Sequence, residues 1–161
     1  MTEQKKQINT GKLCPQCLVA TRCMEAGEPG APRLQPGRRA MVCPRCGAYV
    51  YCHPLTSEAL GSVADAPLRR LRWQTHQVFD LVWKLRLKRS RYNAYSWLSL
   101  RLGLSKDVAH MGLFDEETCR RAIAICTQYI RKHRPEEPLP AFCGEFTCPA
   151  ETAPQEKRPP R

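Results

Sequence analysis

Apolar residues recur at helical spacing in three segments of the chain, the pattern of helices that bury one face. The first segment follows Asp65, a helix-capping residue, and places Pro67 in its first turn; we expect this helix to continue to about Lys88. The second covers about residues 91–102 and stops at Gly103, which suits the left-handed end of a helix. The pattern therefore predicts two neighbouring helices joined by a short connection.

The third segment begins after Asp115 and ends before Pro135. The three helices together predict a helical domain over residues 54–134. Residues 1–11 are polar and residues 135–161 combine many prolines with many charges, so we expect both termini to be disordered.

Two Cys-Pro-x-Cys motifs stand in the N-terminal third of the chain, 25 residues apart. Paired thiolates with a two-residue gap are typical of a tetrahedral zinc site, and Gly47 favours a tight turn after the second motif. Two disulfides or four free thiols are the alternatives. We predict an α+β protein in which one structural Zn²⁺ holds a ribbon of short antiparallel strands over residues 12–53, joined to the three-helix domain. The four predicted ligands are Cys14, Cys17, Cys43 and Cys46.

A weak internal repeat extends this pattern, because Cys23 and Cys52 each follow their motif by six residues. The two halves therefore predict two hairpins related by rough two-fold symmetry about the metal. We expect Cys23 and Cys52 to be small buried apolar residues. The alternative is that Cys52 or His53 replaces a ligand or hydrogen-bonds to one, but four sulfurs already complete a tetrahedron.

The net charge of +11 is concentrated in residues 68–101, where nine basic residues accompany one acidic residue, Asp80. This distribution favours a polyanionic partner such as nucleic acid, although a solvated surface or a contact with an acidic protein would use the same charge. No export signal opens the chain and no run of about 18 apolar residues indicates a membrane span. We therefore expect a cytoplasmic protein with reduced cysteines and no membrane contact.

Cations and aromatic residues are mixed where the first two predicted helices meet. Cations neutralise phosphates and exposed aromatic rings stack on bases, so this segment is predicted to bind DNA or RNA. The alternative is that the aromatic rings are core and the cations only cover a helix junction. Gly112 leaves residues 105–112 too short for a recognition helix, so we expect low sequence specificity. The candidate residues are Lys84, Arg86, Lys88, Arg89, Arg91 and Tyr92.

His76 and Asp80 lie one turn apart on the first predicted helix, on one stripe with Arg72. A catalytic interpretation would make Asp80 orient His76 as a general base. A structural interpretation pairs them within the helix and ties the helix to its neighbours. We favour the structural interpretation, and a protein that is not an enzyme, because no nucleophile or second carboxylate stands at a matching spacing.

A series of short motifs resembles a family of zinc-finger-containing domains of unknown function that is seen in phages and bacteria. The motifs are the segments 43–53, 60–65, 94–98 and 110–115, together with Cys119. The resemblance covers about residues 12–130 and implies a zinc ribbon fused to a small helical domain, with no known activity. It further implies that His53, His76, Asp80 and His110 belong to one polar cluster, with Arg72, at the ribbon–helix junction.

Three functional hypotheses follow from these observations. The leading one is a zinc-ribbon accessory protein, of bacterial, phage or mobile-element origin, that binds nucleic acid with low sequence specificity. The second is a protein-binding adaptor or inhibitor that acts on an acidic partner surface. The third, an enzyme that uses His76 and Asp80, is the least favoured, since a zinc ion with four cysteine ligands has no open coordination position.

Overall fold

Three short strands form an antiparallel sheet in the order β1-β2-β3. The computed structural model describes residues 1–105 and 107–146. Met41, in the central strand, pairs with Cys23 on one side and with Val50 on the other. The strands are β1 (Arg22–Glu25), β2 (Arg39–Val42) and β3 (Tyr49–Tyr51).

The three predicted helices are present, and the capping residues lie where the sequence placed them. Asp65 Oδ1 accepts a hydrogen bond from the Leu68 amide at 2.9 Å, and Gly103 ends its helix in the left-handed conformation with φ of 70°. Asp115 Oδ1 accepts from the Thr118 amide at 2.8 Å. The helices are α1 (Glu3–Asn9), α2 (Ala66–Lys84), α3 (Arg91–Leu102) and α4 (Glu116–His133), with 3-10 turns at Met111–Leu113 and Ala141–Glu145.

A single apolar core lies between α2, α3 and α4. Phe79 of α2, Leu98 of α3 and Ile123 of α4 are all almost completely buried there. Two smaller apolar clusters lie in the ribbon, one around Cys14 and Cys43 and one on the sheet. The α+β prediction, a cysteine ribbon beside a three-helix domain, is therefore confirmed. No helix of the described residues is apolar over a length that would cross a membrane.

The chain termini hold more structure than the sequence predicted. Within residues 1–11, Thr2 caps α1 by accepting a hydrogen bond from the Lys5 amide at 3.3 Å, and Gly11 is buried. Within the C-terminal stretch, the turn at Ala141–Glu145 places the Cys143 side chain in the helical core. The C-terminal turn is held by packing against the helical core, whereas α1 buries no residue. Residues 147–161 lie outside the described part.

Helix α2 ends at Lys84 rather than at Lys88. Arg86 adopts a positive φ of 56°, which an α-helix cannot contain. Leu85 and Leu87 pack against the helical core on either side of it. The burial of these two leucines competes with continuation of the helix, and the chain turns here into the segment that leads to α3.

The ribbon continues beyond residue 53, because the segment that follows pairs with the last strand. Cys52 bridges to Ala59 and Tyr49 bridges to Ala64. Next in this segment, the Ser62 amide donates to the Gly112 carbonyl at 3.0 Å. Residues 59–64, which the sequence assigned to the helical domain, thus join the sheet to the turn before α4.

Buried Arg72 fixes the same junction from the side of α2. Its guanidinium donates hydrogen bonds of 2.8 Å to the Ser62 carbonyl, to Ser62 Oγ and to the Phe114 carbonyl. Burial lowers the pKa of Arg72, yet an arginine remains charged under these conditions. One side chain therefore connects α2, the end of the ribbon and the start of α4.

Candidate metal centre and cationic surface

The two cysteine motifs have the same backbone hydrogen bonds, so the internal repeat of the sequence is a structural repeat. The Leu18 amide donates to the Cys14 carbonyl at 2.9 Å, and the Gly47 amide donates to the Cys43 carbonyl at 3.0 Å. Each first cysteine in turn donates to the residue five positions later, Val19 or Ala48. Both motifs are tight turns, which we call knuckles, and they direct their sulfurs to one side.

The two turns bring four sulfurs together. The ligand atoms of the four cysteines all lie within 4.8 Å of one another, and Cys14 Sγ is 3.8 Å from Cys46 Sγ. A tetrahedral ion with Zn–S bonds of 2.3 Å separates its sulfurs by about 3.8 Å, so the spacing fits zinc. Within this cluster, Cys14 and Cys43 are buried and Cys46 is exposed. The cluster holds one structural zinc through Cys14, Cys17, Cys43 and Cys46.

The electrostatics of the cluster show why a cation belongs there. Contact with Cys46, together with desolvation and the neighbouring sulfurs, raises the pKa of Cys17 to about 12. Desolvation also raises the pKa of Cys14. At Cys43, burial acts in the same direction, but the Cys46 and Arg45 amides donate to the thiolate and bring its pKa to about 7. Without a cation, Cys14 and Cys17 therefore retain their protons at neutral pH while Cys43 is partly ionised, and zinc binding displaces the protons that remain.

Cys23 and Cys52, which follow the two motifs, are not among the four zinc ligands. Cys52 is buried, as predicted, and the pKa of its thiol is raised by desolvation and by the neighbouring Cys23. Cys23 is exposed, so the prediction that it is buried was wrong. Cys23 lies on β1, which is an edge strand of the sheet. His53 is also exposed. Neither His53 nor Cys52 belongs to the four-sulfur cluster.

The four-sulfur cluster at one end of a three-stranded sheet defines a zinc-ribbon module that carries a helical domain. The chain belongs to the zinc-finger-containing domain family, whose family model matches residues 12–129. The match covers the ribbon, α2, α3 and most of α4. No curated protein and no solved structure matches the chain.

The six residues predicted to contact nucleic acid lie at the end of α2, in the following turn and at the start of α3. The side chains of Arg86 and Arg89 are exposed and, within the described part of the chain, make no hydrogen bond or ion pair. Tyr92 is 70% exposed. We call residues 84–92 the cationic turn.

Lys84 and Lys88 of the cationic turn interact with neighbouring side chains. Lys84 Nζ is 3.2 Å from Asp80 Oδ2. Lys88 is half-buried, with Nζ 5.3 Å from the Trp97 ring centroid and 4.9 Å from the Tyr129 ring centroid. These cation–π contacts hold the turn against α3 and α4. Lys88 therefore anchors the turn, and Arg86 and Arg89 present its charge.

Members of the predicted polar cluster influence one another electrostatically, but within the described residues no hydrogen bond or ion pair joins any two of them, so the predicted pairing of His76 with Asp80 is not observed. The pKa of His110 is lowered by desolvation and by the charges of Arg91, Arg72 and His53. Burial lowers the pKa of His76, outweighing the opposite effect of Asp80. The Asp80 carboxylate accepts from Trp83 Nε1 at 3.1 Å and pairs with Lys84. Its two oxygens thus serve to fix the end of α2.

Leu18 has a backbone conformation in the metal centre that its residue type does not predict. Leu18 has a φ of 53°, although leucine rarely adopts this conformation. Gly47 occupies the same position in the second knuckle, with a φ of 73°. The signal that could have found Leu18 was the repeat itself, because aligning the two motifs places Leu18 on Gly47.

Proposed function

We propose that this protein binds nucleic acid with low sequence specificity through the cationic turn, and that the zinc ribbon is its structural support. The observation that carries the proposal is the exposure of Arg86 and Arg89 beside the exposed ring of Tyr92. A guanidinium group without a protein partner can neutralise a phosphate without first breaking a hydrogen bond or ion pair. An adjacent exposed ring adds a surface on which a base can stack.

The metal centre supports this surface indirectly. The ribbon is joined to α2 through the Asp65 cap and through Arg72, and α2 leads into the cationic turn. At the far end, Lys88 fixes the turn to the aromatic rings of α3 and α4. A turn held at both ends loses little conformational entropy on binding.

The test measures fluorescence anisotropy of labelled single-stranded DNA, duplex DNA and RNA of one length at 50 and 200 mM salt. The double substitution Arg86→Glu and Arg89→Glu should weaken binding at least tenfold and reduce the slope of log K against log salt by about 2. The matched control, Arg22→Glu with Arg33→Glu, changes net charge equally on the ribbon and should weaken binding less than threefold.

Two results would refute the proposal. One is absence of binding to all three nucleic acids at the lower salt concentration. The other is equal weakening by the two double substitutions, which would mean that net charge alone attracts the ligand.

A protein-binding adaptor is the second candidate, and one observation favours it. Trp73 is 58% exposed and lines a groove of about 570 Å³ between α2, α4 and the C-terminal 3-10 turn. Arg70 and Arg120 border this groove together with Glu116 and Glu145, and Arg120 pairs with Glu116, so the exposed Trp73 ring rather than net charge would hold a partner segment. A partner captured after nuclease treatment and lost on Trp73→Ala, but retained by the Arg86/Arg89 double variant, would favour the adaptor.

A further inference from the structure

A small cleft lies at the end of the cationic turn and shares one lining residue, Tyr92, with it. Its volume is about 250 Å³, and four of its lining residues lie on one face of α3. The opposite wall comes from the segment before the 3-10 turn at Met111–Leu113. The lining residues are Tyr92, Tyr95, Ser96, Ser99, Ala109 and His110.

The cleft has flat aromatic walls. Tyr92 is largely exposed at the mouth, whereas the ring of Tyr95 is held from behind by Phe79, with centroids 4.5 Å apart. Ser99 Oγ donates to the Ser96 carbonyl at 2.9 Å, which turns this hydroxyl toward its own helix. An aromatic wall with few free polar groups suits a planar heterocycle.

One edge of the cleft is cationic. The Arg91 guanidinium carbon lies 5.7 Å from the Tyr95 ring centroid. Its charge is also among the causes that lower the pKa values of His76 and His110. Arg91 therefore provides a positive charge where the cleft meets the cationic turn.

His110 supplies a polar group with a defined role. Its Nδ1 accepts a hydrogen bond from the Gly112 amide at 3.1 Å. A ring nitrogen that accepts carries no proton, so in the neutral ring the proton is on Nε2. The lowered pKa of His110 favours that neutral ring at pH 7. His110, which lines the cleft, thus has one N–H donor, on Nε2.

We propose that this cleft binds one unstacked nucleotide of a single-stranded nucleic acid, with the base against Tyr92 and the phosphate beside Arg91. This inference rests on the proposed function and specifies its substrate. The cleft admits a single heterocycle and no base pair, and bases in a duplex are already stacked on their neighbours. Arg89 and Arg86 are exposed and precede Tyr92 by three and six residues, so the proposal places the next phosphates of the strand on these two arginines.

The experiment compares Tyr92→Ala with Leu100→Ala, using a 15-nucleotide oligo-dT, a duplex of the same length and dTMP. Leu100 is an apolar residue of the same helix, is 82% exposed and does not line the cleft. Tyr92→Ala should weaken oligo-dT binding about 5- to 100-fold and change duplex binding less than twofold. Tyr92→Phe and Leu100→Ala should both bind oligo-dT like the parent protein. Photo-crosslinking with 5-iodouracil in the oligonucleotide should modify Tyr92.

Each possible failure has a separate meaning. If Tyr92→Ala weakens single-stranded and duplex binding equally, or matches Leu100→Ala, the cleft does not hold a base, while the Arg86/Arg89 result still decides the proposed function. If dTMP binds more tightly than oligo-dT in a Tyr92-dependent way, the occupant is a free nucleotide and the strand is excluded. If the Arg86/Arg89 variant binds normally, the proposed function itself fails.

Discussion

Leu18 and Gly47 occupy the same position in the two zinc knuckles, and both have a positive φ, 53° at Leu18 and 73° at Gly47. Each donates its amide to the carbonyl of the first cysteine of its motif. Glycine adopts this conformation without strain, but a residue with a Cβ pays about 1–2 kcal/mol. The first knuckle therefore contains strain that the second does not.

Exchanging these residues should change stability in opposite directions. Leu18→Gly should stabilise the zinc-loaded protein by about 0.5–1 kcal/mol, because relief of strain exceeds the added freedom of the unfolded chain. Gly47→Ala should destabilise it by a similar amount, and only through the backbone, since no atom lies within 4 Å of an added Cβ. Urea denaturation measures both. A change of the same sign in the free energy of unfolding of the two variants would contradict the inference that only the first knuckle is strained.

Gly61 and Gly112 are predicted to tolerate no side chain. A Cβ at Gly61 would lie 2.6 Å from the carbonyl carbon of Gly112, and the φ of Gly61 is 156°. We expect Gly61→Ala to cost about 3 kcal/mol or more, because backbone on both sides must move. Gly103→Ala is the control, since Gly103 has positive φ but open space around it, and should cost about 1 kcal/mol. Equal costs in the two variants would show that the close contact does not exist.

Arg72 is predicted to stabilise the ribbon–helix junction rather than to act on a ligand. Arg72→Met should lower the free energy of unfolding by about 2–4 kcal/mol, because it leaves the Ser62 and Phe114 carbonyls without their donor. Arg72→Lys keeps the charge but reaches fewer acceptors, so its cost should be intermediate. Arg70→Met, at an exposed position of the same helix, should change stability by less than about 0.5 kcal/mol. A loss at Arg72 no greater than that at Arg70 would refute this role.

Removing the metal should expose the four knuckle thiols and leave the helical thiols protected. Alkylation followed by mass spectrometry should modify Cys23 rapidly in the zinc-loaded protein and the four knuckle cysteines only after a chelator is added. Cys119 should remain unmodified in both states, because burial raises its pKa to about 11. Equal labelling of the knuckle cysteines with and without chelator would mean that no metal is bound there.

The sequence by itself determined the elements that depend on local chemistry. The cysteine spacing identified all four ligands, and the caps at Asp65 and Asp115 marked the starts of α2 and α4, because each cap bonds an amide only three residues away. Only the tertiary structure decided where α2 ends, since that depends on burying Leu85 and Leu87 against distant helices. It also decided the partner of Arg72, because Phe114 lies 42 residues further along the chain. Long-range packing selects among the conformations that local sequence permits.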